Sequence, residues 1–329
     1  MKSSSILIRI LRHEWLPLLL MAIAAIIVLA LISNSFLSTY NLFVMLRILS
    51  VTSLVALSQM VVIAIGQMNL AVGAIGGLVA ILFGAMLEIY GVPIPVAIVV
   101  AVSLGLLCGA ANGMLIAWTK INGFIITLAM LSVFTGLTYG ITKSIPFYNM
   151  PQALKAAYDS YLGPVPIILF IPVLAALGVG FILNWTRVGR HMLAMGGNPA
   201  AAELAGISTT RTMIFTHMLS GGLAGIAGVV AVARLGTAEP SIGADWLLAS
   251  FAAPVIGGAA LAGGHVSVIG TMIAVVLVIL LENGLLLART NPFYVQFFLG
   301  ALILLAVMFN QWRARQAEAR RVSGRAVLA

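Results

Sequence analysis

The chain has 329 residues, of which 62% are hydrophobic and 8% are charged, and its mean hydropathy is +1.16. Ordinary soluble domains carry about 25% charged residues, so this composition excludes a soluble protein and predicts an all-α polytopic membrane protein. In a soluble protein the net charge of +9 would suggest a nucleic-acid partner. Here we interpret the basic residues as topology signals and expect no nucleic-acid binding.

The predicted elements begin with a short basic stretch, residues 1–14, before the first apolar run. That run is long enough to span a bilayer and no A-x-A cleavage site follows it, so we predict a transmembrane helix instead of a removed signal peptide. With this run counted as the first, ten candidate spans are predicted in chain order: 15–33, 42–64, 70–90, 93–118, 122–142, 164–184, 211–233, 246–262, 266–288 and 293–310. The eighth is short and broken by Pro254 and four glycines, so a re-entrant segment is its alternative.

The distribution of Lys and Arg predicts the orientation of these spans. If the N-terminus is cytoplasmic, 12 of the 17 basic residues lie in the cytoplasm, 4 lie outside and Arg47 lies near a helix end. The positive-inside rule therefore predicts about ten spans with both termini in the cytoplasm. The whole chain, 1–329, is then a single membrane domain: a bundle over 15–310 and a basic tail, 311–329, which anchors the topology or contacts anionic lipid.

Titratable residues argue against two classes of protein. We place Glu88, Glu239, Asp245 and Glu282 near the outer ends of spans, and no carboxylate lies in the middle of one. Ion-coupled transporters usually need an intramembrane titratable group, so this class is disfavoured. His217 is the only intramembrane candidate, and we expect a packed, hydrogen-bonded histidine. Neither a nucleophile with its base nor metal-ligand spacing is present, so we predict no enzyme activity, metal or cofactor.

Uncharged polar residues within the apolar sequence are the candidates for a solute pathway. The stretch "GQMNLAVG", residues 66–73, interrupts the chain between the second and third spans. Each hydroxyl of a neutral solute must exchange water for a protein partner, so side-chain amides and hydroxyls at such a break suit a polar solute. The alternatives are a capped turn and hydrogen bonds between helices. The candidates are Gln59, Gln67, Asn69, Asn112 and Thr127.

Glycines at four-residue spacing predict close helix packing. They fall in the third, fourth and seventh spans, and the contacts they make lie either within one subunit or between subunits. The positions are Gly73 and Gly77, then Gly105, Gly109 and Gly113, then Gly221 and Gly225.

A very short helix is predicted from Pro199 to Ala205. Asn198 is a good N-cap, Pro199 suits the first helical position and Gly206 can close the C-terminus. At about 1.5 Å per residue the helix is roughly 10 Å long, too short to span the membrane. It is also too weakly amphipathic to bind lipid firmly. We therefore predict a docking element on the cytoplasmic face, with a simple chain-turning connector as the alternative.

Three motifs in this order resemble one family. They are "AMGGNPAAAELAGI" at 194–207, "VIGGAALAGG" at 255–264 followed by Gly270 and Thr271, and "ENGL" followed by Tyr294 and Gln296. The chain resembles the permease subunits of bacterial ATP-binding-cassette sugar importers, the group that serves ribose, xylose, arabinose and autoinducer-2. This resemblance implies a multi-pass protein of the bacterial inner membrane.

The resemblance also implies partners and coupling residues. The segment at about 198–206 is then the coupling helix, which docks into a cytoplasmic ATP-binding subunit. A periplasmic solute-binding protein and a second permease subunit complete the complex. The predicted coupling residues are Asn198, Pro199, Ala201, Ala202, Glu203, Ala205 and Gly206.

The chain departs from the family pattern after the second span. The family commonly has "DLSVG" there, whereas this chain has "NLAVG", with Asn69 in place of the acid and Ala71 in place of serine. The resemblance therefore implies that the chain pairs either with a copy of itself or with a nonidentical sister subunit. An importer of branched-chain amino acids is the alternative within the same broad class, and an ion-coupled secondary transporter is the more distant one.

Overall fold

The computed structural model describes residues 15–163 and 165–289, together with Tyr294, Phe297, Phe298, Gly300, Ala301, Leu304, Leu305 and Met308. The N-terminal stretch 1–14, the basic tail 311–329 and most of the tenth predicted span, 293–310, lie outside the described residues.

Helices form nearly all of the ordered elements in 15–163 and 165–289. In chain order they are α1 (Leu16–Ile32), α2 (Thr39–Ile63), α3 (Val72–Glu88), α4 (Ile94–Thr119), α5 (Gly123–Thr142), α6 (Gln152–Tyr158), α7 (Phe170–Trp185), α8 (Arg187–Gly197), α9 (Pro199–Leu204), α10 (Thr209–Leu235), α11 (Trp246–Ile256) and α12 (Val268–Leu287). A small antiparallel hairpin pairs β1 (Tyr161–Leu162) with β2 (Val165–Pro166), and a 3-10 turn (Ile167–Leu169) leads into α7.

Six helices are long and apolar enough to cross a membrane: α2, α4, α5, α7 with its preceding turn, α10 and α12. Three shorter apolar helices, α1, α3 and α11, accompany them. The chain is therefore a polytopic helical membrane protein, as its composition predicts. The count of ten spans stays a prediction, because three of the nine candidates in the described ranges are short and the tenth lies largely outside those ranges.

The core of the bundle is built around α2 and α10. Helix α10 packs against α2, α3 and α4, while α11 and α12 pack on α2, and α1 packs on α12. Glycine makes the closest contact, since a Cβ at Gly109 would overlap the carbonyl oxygen of His217 and one at Gly221 would overlap that of Gly105. The predicted glycine faces of α4 and α10 are thus confirmed as a contact within one chain.

Polar caps set several helix starts. The side chains of Thr186, Ser208 and Ser267 accept hydrogen bonds from the backbone N–H three residues on, and Asn122 accepts from Phe124. These bonds satisfy N–H groups that have no partner within the helix. Polar residues in this apolar chain therefore mark where helices begin.

The bundle has two distinct ends. The α9 end carries α8, α9 and the breaks between α2 and α3 and between α11 and α12. The α6 end carries α6 and the hairpin, which lie against the start of α2. The sequence does not predict α6, the hairpin or α8. Each of them is short, and the hydropathy pattern indicates only a loop at these positions.

Candidate functional site

The short helix α9 forms as predicted and ends one residue early, at Leu204. Asn198 Oδ1 accepts a hydrogen bond from Ala201 N at 3.0 Å. At the other end Gly206 has a φ of +81°, and Ile207 N donates to Ala202 O while Gly206 N donates to Glu203 O. This pair of bonds is a Schellman motif, which closes the helix at a left-handed glycine.

Only one residue of α9, Ala202, is buried. Leu204 has 91% of its surface exposed at the end of the helix, and Glu203 is exposed beside it. An exposed leucine on a short projecting helix is a candidate anchor for a partner protein. Sequence reasoning missed Leu204, although it is the only large apolar residue among the alanines of this helix.

Helix α8 connects α7 to α9 and is amphipathic. It buries Met192 and Met195 and exposes Arg187, Arg190 and His191. Its last residues, Gly196 and Gly197, lead directly to the cap of α9. These two glycines therefore join α8 to α9.

Gly196 contacts the two helix breaks at once. A Cβ at this position would overlap Ala64 O, after α2, and Gly264 N, before α12. These two atoms are joined by a hydrogen bond of 3.0 Å. Gly66 and Gly263 also meet here, both with positive φ, and a side chain on either would collide with the other break. We call this contact of 64–66, 196–197 and 262–264 the glycine junction; it joins two of the motifs that are separate in sequence.

The eighth predicted span is only partly helical, and whether it crosses the membrane or re-enters it stays a prediction. Leu235 ends α10 at the α6 end, and the chain then returns alongside α3 as the nonhelical segment 236–245 before α11 begins. The glycines of α3 admit this backbone, since Gly84 faces Ala238, Gly77 faces Ile242 O and Gly73 faces Gly243 O. Helix α11 has 11 residues, about 16 Å, so it covers roughly half of a bilayer. The segment predicted as 246–262 is therefore helical only to Ile256.

Asp245 directly precedes α11 and lies beside Arg234 and Leu235, the last residues of α10. It therefore lies near a helix end, as the hydropathy pattern predicts. The side of the membrane that it faces stays a prediction.

Gln59, Asn69 and Thr127 meet in a buried network at the break between α2 and α3. With its side-chain amide oriented to satisfy both groups, Gln59 donates to Asn69 O at 2.9 Å and accepts from Asn69 N at 3.2 Å. Asn69 Nδ2 donates to Ser220 Oγ at 3.0 Å, and its Oδ1 accepts from Ala71 N at 3.0 Å. Thr127 Oγ1 accepts from Leu70 N at 3.1 Å. These contacts hold the nonhelical backbone, and contact with solute stays a prediction.

The other two pathway candidates lie in different surroundings. Gln67 is half-buried, with its Oε1 against Gly123 at the start of α5. Asn112 of α4 is fully buried, and neither its oxygen nor its nitrogen has a hydrogen-bond partner in the described part of the chain. The ring nitrogens of His217 also lack a partner among the described residues. His217 is packed as expected, but the expected hydrogen bond is wrong.

Two cavities flank segment 236–245. Cavity A, about 250 Å³, is lined mainly by apolar residues and by three hydroxyl side chains of α5, Thr135, Thr138 and Tyr139. Cavity B, about 190 Å³, is lined by Ser241, Asp245 and Trp246 together with residues of α2 and α10. Ile242 and Gly243 line both cavities, so the backbone of segment 236–245 separates cavity A from cavity B.

The α6 end is fastened to α2 through Arg47. Its guanidinium donates to Asp159 Oδ1 at 2.7 Å and to Tyr161 Oη at 2.6 Å, and it lies 5.1 Å from the ring centre of Tyr158. Burial raises the pKa of Tyr158 to about 12, against the opposing effect of the Arg234 and Arg47 charges. Tyr158 is therefore neutral at physiological pH, and this cluster holds α6 and the hairpin in place.

Comparison with known proteins identifies the family. The family described as branched-chain amino acid transport system / permease component matches residues 41–307. The ribose import permease protein RbsC of Escherichia coli (strain K12) is 33% identical over 298 residues, which cover 88% of this chain and 92% of RbsC. The chain belongs to this permease family. In the comparison with solved structures, no structure matches.

Two further relatives of this permease are also import permeases. RbsC of Bacillus subtilis (strain 168) is 35% identical over 292 residues, covering 87% of the permease and 89% of the relative. The fructose import permease protein FrcC of Rhizobium meliloti is 30% identical over 310 residues, covering 90% and 84%. The permease is thus the transmembrane component of an ATP-binding-cassette importer, a multi-pass protein of the bacterial inner membrane.

The motifs of the permease have structural roles. Gly270 approaches Gly257, so that α12 begins directly beside the end of α11. Asn283 of the "ENGL" motif exchanges two side-chain hydrogen bonds with Asn41, at 2.8 and 3.1 Å, and ties α12 to α2. Tyr294 is described in a helix, and Gln296 lies outside the described residues.

Asn69 stands where the resemblance leads us to expect an acid, and it has a defined structural role. Its amide is completely buried and uses both ends, Oδ1 to cap the start of α3 and Nδ2 to bind Ser220. An aspartate could accept both bonds if Ser220 turned its hydroxyl, so the two residues offer the same cap. In this chain the cap is made without burying a charge.

Replacing Asn69 with alanine should destabilise the permease. The change leaves Ala71 N buried without its partner, which costs about 1–3 kcal/mol, whereas Ser220 Oγ keeps its hydrogen bond with Ser58 Oγ. We expect a lower thermal unfolding midpoint in detergent for Asn69→Ala. Asn184→Ala is the matched control, because Asn184 is exposed on α7 and bonds only Gly180 O of its own helix. Equal midpoints for the two variants would contradict the structural role of Asn69.

Proposed function

We propose that this permease forms the translocation pathway of an ATP-driven, binding-protein-dependent importer of a sugar or polyol-like solute. The names of its relatives, ribose and fructose import permeases, support a sugar. The uncharged amides and hydroxyls of the described bundle suit a neutral hydroxylated solute, since they can exchange hydrogen bonds with it. A periplasmic solute-binding protein delivers the solute, and a separate cytoplasmic subunit hydrolyses ATP.

The observation that carries this proposal is the exposed Leu204 on the capped helix α9. A residue this apolar and this exposed outside the bundle is best explained by a groove on the ATP-binding subunit. Glu203 supplies a polar contact, and the basic residues of the neighbouring segments supply supporting charges. The proposed coupling residues are Asn198, Pro199, Ala201, Ala202, Glu203, Ala205 and Gly206.

The glycine junction gives the coupling a physical route. Displacement of α9 by the ATP-binding subunit moves Gly196, whose backbone touches the breaks after α2 and before α12. These breaks are the nonhelical points of the α9 end, where backbone angles change at the least cost. The permease then acts as a two-state gate, and its partners supply the differences in binding free energy between the states.

The topology proposed for the permease places the α9 end in the cytoplasm and the α6 end in the periplasm. It has about ten spans with both termini in the cytoplasm, and the chain 1–329 forms a single membrane domain. The exposed Arg187, Arg190 and Arg211 at the α9 end support this orientation through the positive-inside rule.

The complex contains two permease subunits, either two copies of this chain or this chain and a sister. The neutral cap of Asn69 and Ala71, where the family usually has an acid and a serine, motivates the second form. Purification of an active complex with this chain as its only permease would refute it.

Reconstitution tests the proposed function. Proteoliposomes with the permease, its ATP-binding subunit and its binding protein should take up radiolabelled D-ribose, D-xylose or D-fructose only when ATP is supplied. Uptake of leucine or valine instead would favour the family's branched-chain amino acid members, which its description names. Uptake by the permease alone under an ion gradient would show a secondary transporter and would contradict the proposal.

A further inference from the structure

Two helices of the bundle end in the same short sequence at the α9 end. The end of α4 carries "WTK", residues 118–120, and the end of α7 carries "WTR", residues 185–187. Trp118 is 72% exposed and Trp185 is 76% exposed, and no other tryptophan among the described residues is exposed to this degree. We call 118–120 and 185–187 the tryptophan corners. Large aromatic surface left open at two matching places indicates a partner outside the chain.

The two corners also share their hydrogen bonds. Thr119 Oγ1 donates to Leu115 O at 2.6 Å, four residues back. In the same way Thr186 Oγ1 donates to Ile182 O at 2.7 Å. Each hydroxyl oxygen also accepts from a backbone N–H two or three residues further on, so it ties the last helical turn to the segment that follows. The helix therefore stops at or directly after the tryptophan, and the basic residue comes next.

An exposed leucine precedes each corner at the same spacing. Leu107 lies eleven residues before Trp118, and Leu174 lies eleven residues before Trp185. Eleven residues make about three helical turns, so leucine and tryptophan share one face and lie about 16 Å apart along the axis. Both leucines are 66% exposed. Half of the ~30 Å hydrocarbon core is about 15 Å, so each leucine lies near the bilayer centre when its tryptophan lies at the boundary.

Each corner places a positive charge beyond this boundary. Lys120 and Arg187 are exposed, and neither forms an ion pair with a residue in 15–163 or 165–289. An indole ring with a neighbouring cation suits the headgroup region, where the ring meets both apolar and polar groups and the phosphate is anionic. At the α6 end the most exposed aromatic residues are tyrosines, and no Lys or Arg follows them within two residues: Tyr40, Tyr90 and Tyr148. Charge complementarity to an anionic headgroup is thus a property of the α9 end.

The corners lie on different sides of the bundle. Helix α4 packs on α10 and α7 packs on α2, while α2 and α10 pack on each other. Anchors on different sides fix the tilt of a bundle as well as its depth, because a single anchor leaves the bundle free to lean.

We propose that the two tryptophan corners bind the headgroups of anionic phospholipids, with the indole rings at the edge of the hydrocarbon core and Lys120 and Arg187 against the phosphates. This interaction goes beyond the proposed function and does not depend on the solute. On the proposed topology the lipids belong to the cytoplasmic leaflet. The corners then hold the bundle at a fixed depth, against which a displacement of α9 acts.

Lipid titration of the detergent-solubilised permease tests the charges. Phosphatidylglycerol should raise the thermal unfolding midpoint in a saturable manner, because a ligand that binds the folded state stabilises it. A double variant, Lys120→Gln with Arg187→Gln, should weaken the apparent affinity about five-fold, since each corner loses one basic residue. Lys155→Gln, an exposed charge on α6 at the other end, is the matched control. No shift, an equal shift with phosphatidylcholine, or unchanged affinity in the double variant would overturn the proposal.

Fluorescence quenching tests the depth of the two rings. In proteoliposomes, lipids brominated near the headgroup should quench Trp118 and Trp185 more than lipids brominated near the bilayer centre. The emission of these rings is the difference between the wild type and a variant with Trp118→Phe and Trp185→Phe. Stronger quenching from the centre, or none from either position, would show that the rings do not lie at the boundary and that the proposal is wrong.

The ATP-binding subunit is the alternative occupant of the corners. If the double charge variant binds this subunit more weakly and binds phosphatidylglycerol like the wild type, the corners belong to that interface and the lipid proposal falls. A fall in lipid affinity supports the proposal whatever the effect on the subunit. Both lipid measurements use the permease alone, so their failure leaves the proposed function standing.

Discussion

Leu204→Asp should abolish ATP-driven transport while leaving the permease folded. The side chain is 91% exposed on α9, so a charge there disturbs no packing within the chain. In the complex, the same charge would have to enter an apolar groove, and loss of such an anchor costs about 2 kcal/mol or more, or about 30-fold in affinity. The measurement is the affinity of detergent-solubilised permease for its ATP-binding subunit, with uptake assayed in parallel.

Leu162→Asp is the control for this prediction. Leu162 is also an exposed leucine, 65% exposed, but it lies in the hairpin of the α6 end. We expect its variant to bind the ATP-binding subunit like the wild type. If Leu162→Asp weakens this binding and Leu204→Asp does not, the orientation of the bundle is the reverse of the proposed one.

Gly196→Ala should strongly destabilise the glycine junction. The new Cβ would lie against both Ala64 O and Gly264 N and would break the hydrogen bond between them. Overpacking and loss of this bond together cost about 2–5 kcal/mol. We expect a clearly lower thermal unfolding midpoint. We also expect the transport rate per folded permease molecule to be lower than that of the wild type.

Gly197→Ala is a nearly ideal control, because it adds the same methyl group one residue away. A Cβ on Gly197 meets no atom within 4 Å, so this variant should unfold and transport like the wild type. Equal effects of the two substitutions would show that the glycine junction is not the tight contact described here.

Some features of this fold can be predicted from residues that are close together in the sequence. Helix α9 is predicted within one residue, because Asn198, Pro199 and Gly206 each act on their immediate neighbours. The glycine faces of α4 and α10 are also predicted, since glycines four residues apart lie on one face of a helix, but only the structure shows that these two faces pack against each other.

Other features depend on contacts between distant segments. Hydropathy predicts an apolar span at 246–262, but it does not predict the nonhelical path of 236–245, which exists only because the glycines of α3 leave room for its backbone. Helix α8 was missed because an 11-residue amphipathic element between basic residues reads as a loop.

The polar candidates show a further limit of sequence reasoning. Gln59, Asn69 and Thr127 are unusual in apolar helices, and this makes them stand out as solute contacts. In the structure they hold the backbone of the break after α2, where N–H and C=O groups have no helical partners. A sequence alone does not tell whether a buried amide serves the backbone or a solute.

Crosslinking from position 204 tests the central claim, that α9 is the docking element for the ATP-binding subunit. The permease carries Cys108→Ala and Leu204→Cys, and a short thiol-reactive photocrosslinker is attached in the assembled, ATP-hydrolysing complex. We expect a crosslink to the ATP-binding subunit from position 204 and none from Leu162→Cys treated in the same way. A complex that hydrolyses ATP and crosslinks from position 162 but not from position 204 would contradict it.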